Sequence, residues 1–113
     1  MNHEMHLNER SYNRIKSNEK KIEYRVNDEK RRKIKVGDTI TFYLRPEDKE
    51  FIKTKITDLK YYDNLFDMYS ESFNHYFYKY YDSVQEVVDD TDCYTEDEIK
   101  KYGCVAIHFE KID

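Results

Sequence analysis

Residues 39–44 alternate between polar and apolar side chains, and this pattern limits their local structure to a β-strand. The apolar positions are Ile40, Phe42 and Leu44, and the positions between them are Thr39, Thr41 and Tyr43. Side chains of a strand point alternately to its two faces, so one face of this strand is apolar and the other polar. We therefore expect a strand that buries its apolar face and exposes the other.

The order of such patterns along the chain predicts the fold class. Further strands are predicted over residues 3–7, 21–26, 51–59 and 105–109. Residues able to cap a helix N-terminus precede several of the remaining segments: Asn8, Asp63, Ser83 and Thr95. Both Ser83 and Thr95 are followed three residues later by a glutamate, as in a capping box. This order indicates an α+β domain with a small curled sheet and flanking short helices.

Composition decides between a folded domain and a disordered chain. Charged residues make up 39% of the 113 residues, which is typical of disorder, but the chain also holds 12 tyrosines and 6 phenylalanines. Aromatic residues at this density indicate a folded core, and the length predicts one domain over residues 1–113. We find no signal peptide pattern, no membrane-spanning run and only two cysteines, and we expect a cytoplasmic protein without a membrane partner. The sequence leaves the oligomeric state open.

Charge is distributed unevenly, although the net charge is only −4. Residues 10–35 contain eleven basic and four acidic side chains, whereas residues 82–98 contain eight carboxylates and no lysine or arginine. A local positive patch attracts phosphates, and an acidic one repels them. The alternative is that both segments are simply solvated surfaces.

One arrangement in the basic region suggests a binding site. Lys20 precedes a predicted strand that carries Glu23 and Arg25. Strand alternation places Lys21, Glu23 and Arg25 on one face. Two cations flanking a carboxylate can bind an anionic or polar ligand. The alternative is a solvated strand face with an ion pair, which contributes about 0–1 kcal/mol.

The segment from Asn18 to Arg25 resembles the G-x-K-x-x-E-x-R signature of the ASCH domain, a relative of the PUA fold, with Asn18 in the glycine position. Residues 33–40 and 102–107 are similar to later strands of that family. The resemblance implies a PUA-like curled β-barrel and a cleft lined by this motif. It also implies RNA or a nucleotide-like ligand as the partner, which would contact Lys20, Lys21, Glu23 and Arg25.

Three consecutive basic residues, Arg31, Arg32 and Lys33, are further candidates for ligand binding. A guanidinium group offers a planar fork of donors that suits phosphate oxygens. The alternative is a charged turn that keeps the domain soluble.

The aromatic tract over residues 76–81 has two interpretations. Its rings, with Tyr61 and Tyr62, can stack on unpaired bases, at about 1–3 kcal/mol per base. They can also form the core of a chain that is poor in leucine and valine, and the polar tips of tyrosines suit a half-buried layer. We favour the core.

The alternative function is enzymatic. Some small bacterial members of the ASCH family are amidohydrolases acting on 4-acetylcytidine, in which a lysine at the place of Lys20 acts with a threonine and a glutamate. Here Glu23 stands at the place of the threonine, and Glu71 is the nearest candidate for the glutamate. The catalytic residues of such an enzyme would be Lys20 and Glu23. A ribonuclease is a further alternative, without assigned residues, and a protein-interaction domain using residues 82–98 is a third class.

No metal site or cofactor is predicted. The four histidines are scattered, and Cys93 and Cys104 lack the paired spacing of a zinc site. Nucleotide-binding glycine motifs and the nucleophile elbow of hydrolases do not occur in the sequence.

Overall fold

A computed structural model describes residues 1–112. Its strands are β1 (Asn2–Leu7), β2 (Ile22–Val26), β3 (Thr39–Leu44), β4 (Phe51–Tyr62) and β5 (Cys104–Lys111). Its helices are α1 (Glu9–Lys16), α2 (Leu65–Phe73), α3 (Val84–Asp90) and α4 (Glu96–Tyr102), and short 3₁₀ turns cover Arg31–Lys33 and Phe77–Lys79.

The five strands form one mixed sheet in the order β1-β3-β4-β5-β2. β1 runs parallel to β3, with Met5 opposite Phe42, and β3 runs antiparallel to β4, with Phe42 opposite Ile52. The parallel pair is joined through α1 and β2, since parallel neighbours need a crossover connection. The predicted α+β fold class is confirmed.

The chain divides into two compact units. The first unit comprises residues 1–23, residues 34–59 and the chain from Ile107 onward, and the second comprises residues 24–33 and 60–106. The buried core of the first unit contains Tyr12, Ile15, Ile40, Phe42, Ile56 and Phe109. The rings of Phe42 and Phe109 lie 5.1 Å apart. The buried core of the second unit contains Val26, Met68, Tyr69, Phe77, Val87 and Val105.

Helix caps follow the sequence signals with two differences. Asn8 caps α1, and Thr95 and Glu98 form a complete capping box on α4, as predicted. α2 is capped by Asn64 and not by Asp63, because β4 extends to Tyr62 and shifts the helix start by one residue. Ser83 caps α3, but Glu86 accepts a hydrogen bond from the backbone of Asp82 rather than completing the box with Ser83.

The polar face of β3 is not fully exposed, which corrects the expectation from alternation. Thr41 is only 4% exposed. Its hydroxyl donates to the side-chain oxygen of Asn2 at 3.2 Å, and Thr39 donates to the same oxygen at 2.7 Å. A buried hydroxyl is tolerated when it is hydrogen-bonded, so the threonine can lie in the interior without a large penalty.

The aromatic tract is largely a packed ring cluster within the second unit. Phe77 is buried, and its ring centroid lies 5.1 Å from those of Tyr24 and Tyr69. Tyr78 and Tyr80 are exposed, at 54% and 40%. Burial raises the pKa of the Tyr69 hydroxyl to about 12, so this side chain stays neutral in the core.

Candidate ligand-binding site

The loop that presents Lys20 is fixed by the end of α1. Asn18 adopts a left-handed conformation with φ 66°, which asparagine tolerates better than most residues. The backbone N–H groups of Glu19 and Lys20 both donate to the carbonyl of Arg14 at 2.9 Å. These bonds hold Lys20 in place at the start of β2.

Lys20 and Glu23 form a largely buried ion pair. The Lys20 Nζ donates to Glu23 Oε1 at 2.7 Å, and their side chains are 11% and 6% exposed. The alternative considered for this motif, a solvated strand face, is therefore wrong at Glu23. Strand alternation alone does not show whether that face is solvated or buried. A carboxylate is tolerated in the interior only with charged or hydrogen-bonding partners, and Lys20 supplies one.

A pocket of about 430 Å³ lies beside this pair in the first unit. It is lined by Asn18, Lys20, Lys21, Phe109, Glu110 and Lys111. We call it the lysine pocket. The Phe109 N–H donates to the Lys21 carbonyl at 3.1 Å, which brings the end of β5 next to the residues that precede β2.

Sequence reasoning missed the pocket residues that β5 contributes, and Lys111 is the basic residue among them. Its Nζ donates to the Lys16 carbonyl at 2.7 Å, at the C-terminal end of α1, where an ammonium group also complements the helix dipole. Lys111 is 90 positions from Lys21 in the sequence, and only strand pairing brings the two together. No local pattern could have indicated it.

The remaining predicted residues do not line the lysine pocket. Arg25 lies on β2 beyond Glu23 and is half-buried. Arg31, Arg32 and Lys33 form a 3₁₀ turn in the second unit, which we call the arginine segment. Of the predicted set, the structure brings together Lys20, Lys21 and Glu23, and only Lys20 and Lys21 line the lysine pocket.

Arg32 is held against an aromatic ring. Its guanidinium carbon lies 5.3 Å from the Tyr102 ring centroid, and its Nε donates to the Asn27 carbonyl at 2.9 Å. Arg31 is mostly buried, with one guanidinium nitrogen 3.9 Å from Asp28 Oδ1. Arg32 and Lys33 are exposed and can reach a phosphate, whereas Arg31 is less available.

Other candidate groups have structural partners. Glu71, proposed for an amidohydrolase, accepts a hydrogen bond from Lys60 at 3.2 Å. Burial raises the pKa of the Cys104 thiol to about 11, so that it is not a thiolate nucleophile near neutral pH. Within residues 1–112 no group of three or more histidine, cysteine, aspartate or glutamate residues could hold a metal ion. In the same range, no helix is long and apolar enough to cross a membrane.

The ASCH domain model matches residues 5–113. The chain belongs to the ASCH domain family. This confirms the resemblance drawn from the Asn18–Arg25 motif.

Two solved structures share this ASCH fold. The crystal structure of hypothetical protein PH0355 is 38% identical in sequence, with a TM-score of 0.84, and the match covers 99% of this chain and 100% of that one. The solution NMR structure of protein PF0455 from Pyrococcus furiosus is 35% identical, with a TM-score of 0.75, covering 100% of this chain and 99% of that one. No curated protein matches the chain.

Proposed function

We propose that this ASCH domain binds RNA or a nucleotide-like ligand, and that an anionic group of the ligand occupies the lysine pocket. The observation that carries the proposal is the convergence of Lys20, Lys21 and Lys111 on one pocket. Membership of the ASCH family supports a nucleic-acid partner, as expected from the resemblance.

The charges of the pocket favour an anion. Glu23 compensates Lys20 at 2.7 Å, and Glu110 offsets one of the two remaining lysines. One positive charge is then left uncompensated, and the Asn18 amide adds hydrogen-bond donors. Lys20 contributes a positioned donor, while Lys21 and Lys111 supply the attraction for a phosphate.

The arginine segment supports a second contact to a nucleic-acid backbone. Arg32 and Lys33 are exposed, and the Tyr102 ring restricts the motion of the Arg32 guanidinium group. A cation restrained in this way loses less conformational entropy when it binds phosphate. The arginine segment has no arrangement of its own that would distinguish one base from another. It would therefore contribute to affinity and not to sequence specificity.

The test is fluorescence anisotropy of a short single-stranded RNA with the double variant Lys21→Ala/Lys111→Ala. Because the pocket holds one phosphate, removing both lysines should reduce the magnitude of the slope of log affinity against log salt by about 0.7. The matched control is Lys49→Ala/Lys55→Ala, which removes the same charge from exposed lysines of the first unit that do not line the pocket. Equal losses in both variants would show that general charge and not the lysine pocket governs binding.

The structure favours binding over amide hydrolysis. Pairing with Glu23 engages the Lys20 ammonium group, and Glu23 replaces the hydroxyl that the family's amidohydrolases use. We expect no turnover of 4-acetylcytidine by the purified protein. Turnover that disappears in Lys20→Ala but persists in Lys49→Ala would replace the binding proposal with an enzymatic one.

A further inference from the structure

The second unit contains its own pocket, of about 690 Å³, which none of the candidate residues of the basic stretch lines, although it includes Tyr61 and Tyr62, considered above for base stacking. Its wall includes the rings of Tyr61, Tyr62 and Tyr102 and the side chains of Asn27, Asp63 and Asp67. We call it the tyrosine pocket. Aromatic planes and hydrogen-bonding groups in one concave site are the elements that recognise a flat heteroaromatic ring.

Tyr61 is the ring in this pocket that is open to a ligand. It is 61% exposed and is among the most exposed large apolar side chains in the described part of the chain. Tyr102, by contrast, has the Arg32 guanidinium 5.3 Å and the Lys101 ammonium 5.1 Å from its ring centroid. A ligand ring that stacks on Tyr61 would remove apolar surface from water, which favours binding.

The wall carries hydrogen-bond acceptors that suit the N–H groups of a ligand. Asp63 and Asp67 contribute carboxylates, and the Asn27 side-chain oxygen is buried without a hydrogen-bond partner among residues 1–112. Asp67 already accepts a hydrogen bond from Asn64 at 3.2 Å, as part of the cap of α2. Asp63 is therefore the carboxylate most available to a ligand that carries N–H groups.

The backbone around the pocket is constrained. Gly103 has φ +70°, and a Cβ at this position would lie 3.0 Å from the Tyr62 carbonyl oxygen. The Asn27 N–H donates to the Gly103 carbonyl at 2.9 Å. The hydrogen bond ties Asn27 to Gly103, and the close approach of Gly103 to the Tyr62 carbonyl leaves no room for a side chain at this position.

We propose that the tyrosine pocket binds an unpaired guanine base, stacked on Tyr61 and hydrogen-bonded through its amino edge to Asp63. Guanine presents a ring N–H and an exocyclic amino group side by side, and the two can donate to one carboxylate in parallel. Lys100 and Lys101 also line the pocket and suit the phosphate of the same nucleotide. Since two carboxylates balance these two lysines, base identity and not net charge selects the ligand. This site is independent of the lysine pocket.

The experiment is a titration of the full-length protein with guanosine monophosphate and with uridine monophosphate, followed by NMR of the backbone amides. Both probes carry the same phosphate, but uracil lacks an exocyclic amino group. We expect guanosine monophosphate to bind about tenfold more tightly and to shift the amides of Tyr61, Tyr62 and Gly103. Equal affinity of the two nucleotides, or no shift at these residues, would overturn the proposal.

Two variants test whether the preference for guanosine monophosphate arises in the tyrosine pocket. Tyr61→Ala should weaken guanosine monophosphate binding about tenfold through loss of stacking, and Asp63→Asn should abolish the preference over uridine monophosphate. The matched control is Tyr78→Ala, because Tyr78 is similarly exposed, at 54%, and does not line the pocket. A loss of the same size in Tyr78→Ala would refute the role of Tyr61.

Two further measurements distinguish an RNA ligand from a free nucleotide and the tyrosine pocket from the lysine pocket. A guanine-containing single-stranded RNA and a uridine-only RNA of the same length distinguish an RNA ligand from a free nucleotide, since only an RNA ligand binds more tightly as an oligomer. The variant Lys21→Ala/Lys111→Ala should keep the preference for guanine. Loss of that preference in this variant would place the guanine site in the lysine pocket and refute the tyrosine pocket.

Discussion

The lysine pocket and the arginine segment both contain residues of the basic stretch over residues 10–35, but they use positive charge differently. In the first, Lys20 is buried and bonded to Glu23 at 2.7 Å. In the second, Arg32 is exposed and rests over the ring of Tyr102. Charges interact strongly where water is excluded and weakly where it is not, so we expect the Lys20–Glu23 pair to contribute more to stability than the contact of Arg32 with Tyr102. Dense positive charge in a sequence therefore does not by itself indicate how that charge is used.

The sharpest test of this difference is Lys20→Ala. It leaves the Glu23 carboxylate buried without its ammonium partner, and removing one member of a buried pair costs about 3 kcal/mol of unfolding free energy. Urea unfolding measures this loss. The control is Lys49→Ala, whose side chain is 82% exposed, and which should change the unfolding free energy by less than about 0.5 kcal/mol. Similar values for the two variants would mean that the pair is not effectively buried.

A second test concerns the backbone of the tyrosine pocket. Gly103→Ala should cost about 2 kcal/mol, because alanine rarely adopts its φ of +70° and the new Cβ would approach the Tyr62 carbonyl oxygen to 3.0 Å. Gly37→Ala is the control, with φ +94° but no atom within 4 Å of the Cβ, and its cost should be smaller. Thermal unfolding of both variants provides the comparison. An equal loss would assign the whole effect to backbone strain.

A substitution in the arginine segment should lower the unfolding free energy less than Lys20→Ala does. Arg32→Ala removes an exposed cation from the Tyr102 ring and one hydrogen bond to the Asn27 carbonyl, and we expect a loss of about 0.5–1 kcal/mol. RNA affinity should fall at the same time, in a salt-dependent manner. A stability loss comparable to that of Lys20→Ala would erase the contrast between the two regions.

The smallest effect concerns pH. The hydrogen bond from His3, at 2.8 Å, lowers the pKa of Asp38 to about 2, with a further contribution from the Lys35 N–H. A carboxyl group with a lowered pKa stabilises the folded state above its unfolded pKa of about 3.9, and this contribution is lost as the pH falls towards 2. The difference in stability between the wild-type protein and Asp38→Asn should therefore narrow between about pH 4 and about pH 2. A constant difference in urea unfolding over this range would show that Asp38 does not stabilise through its charge.

Local signals predicted local structure well. Asn8 and Thr95 cap their helices as expected, because capping depends on residues three positions apart. Asn18 occupies the left-handed position after α1 that the motif requires. The prediction that Asp63 caps α2 was wrong by one residue, since the length of β4 and not the local sequence sets where α2 begins.

The sequence by itself determined the fold class and the family of this protein. Both depend on patterns within short segments: strand alternation, helix caps and the Asn18–Arg25 signature. Only the tertiary structure decided that Glu23 is buried, that Lys111 joins Lys20 and Lys21, and that Tyr61 faces a pocket. The physical reason is that burial and pocket formation depend on strand pairing between residues far apart in the chain, which no local pattern encodes.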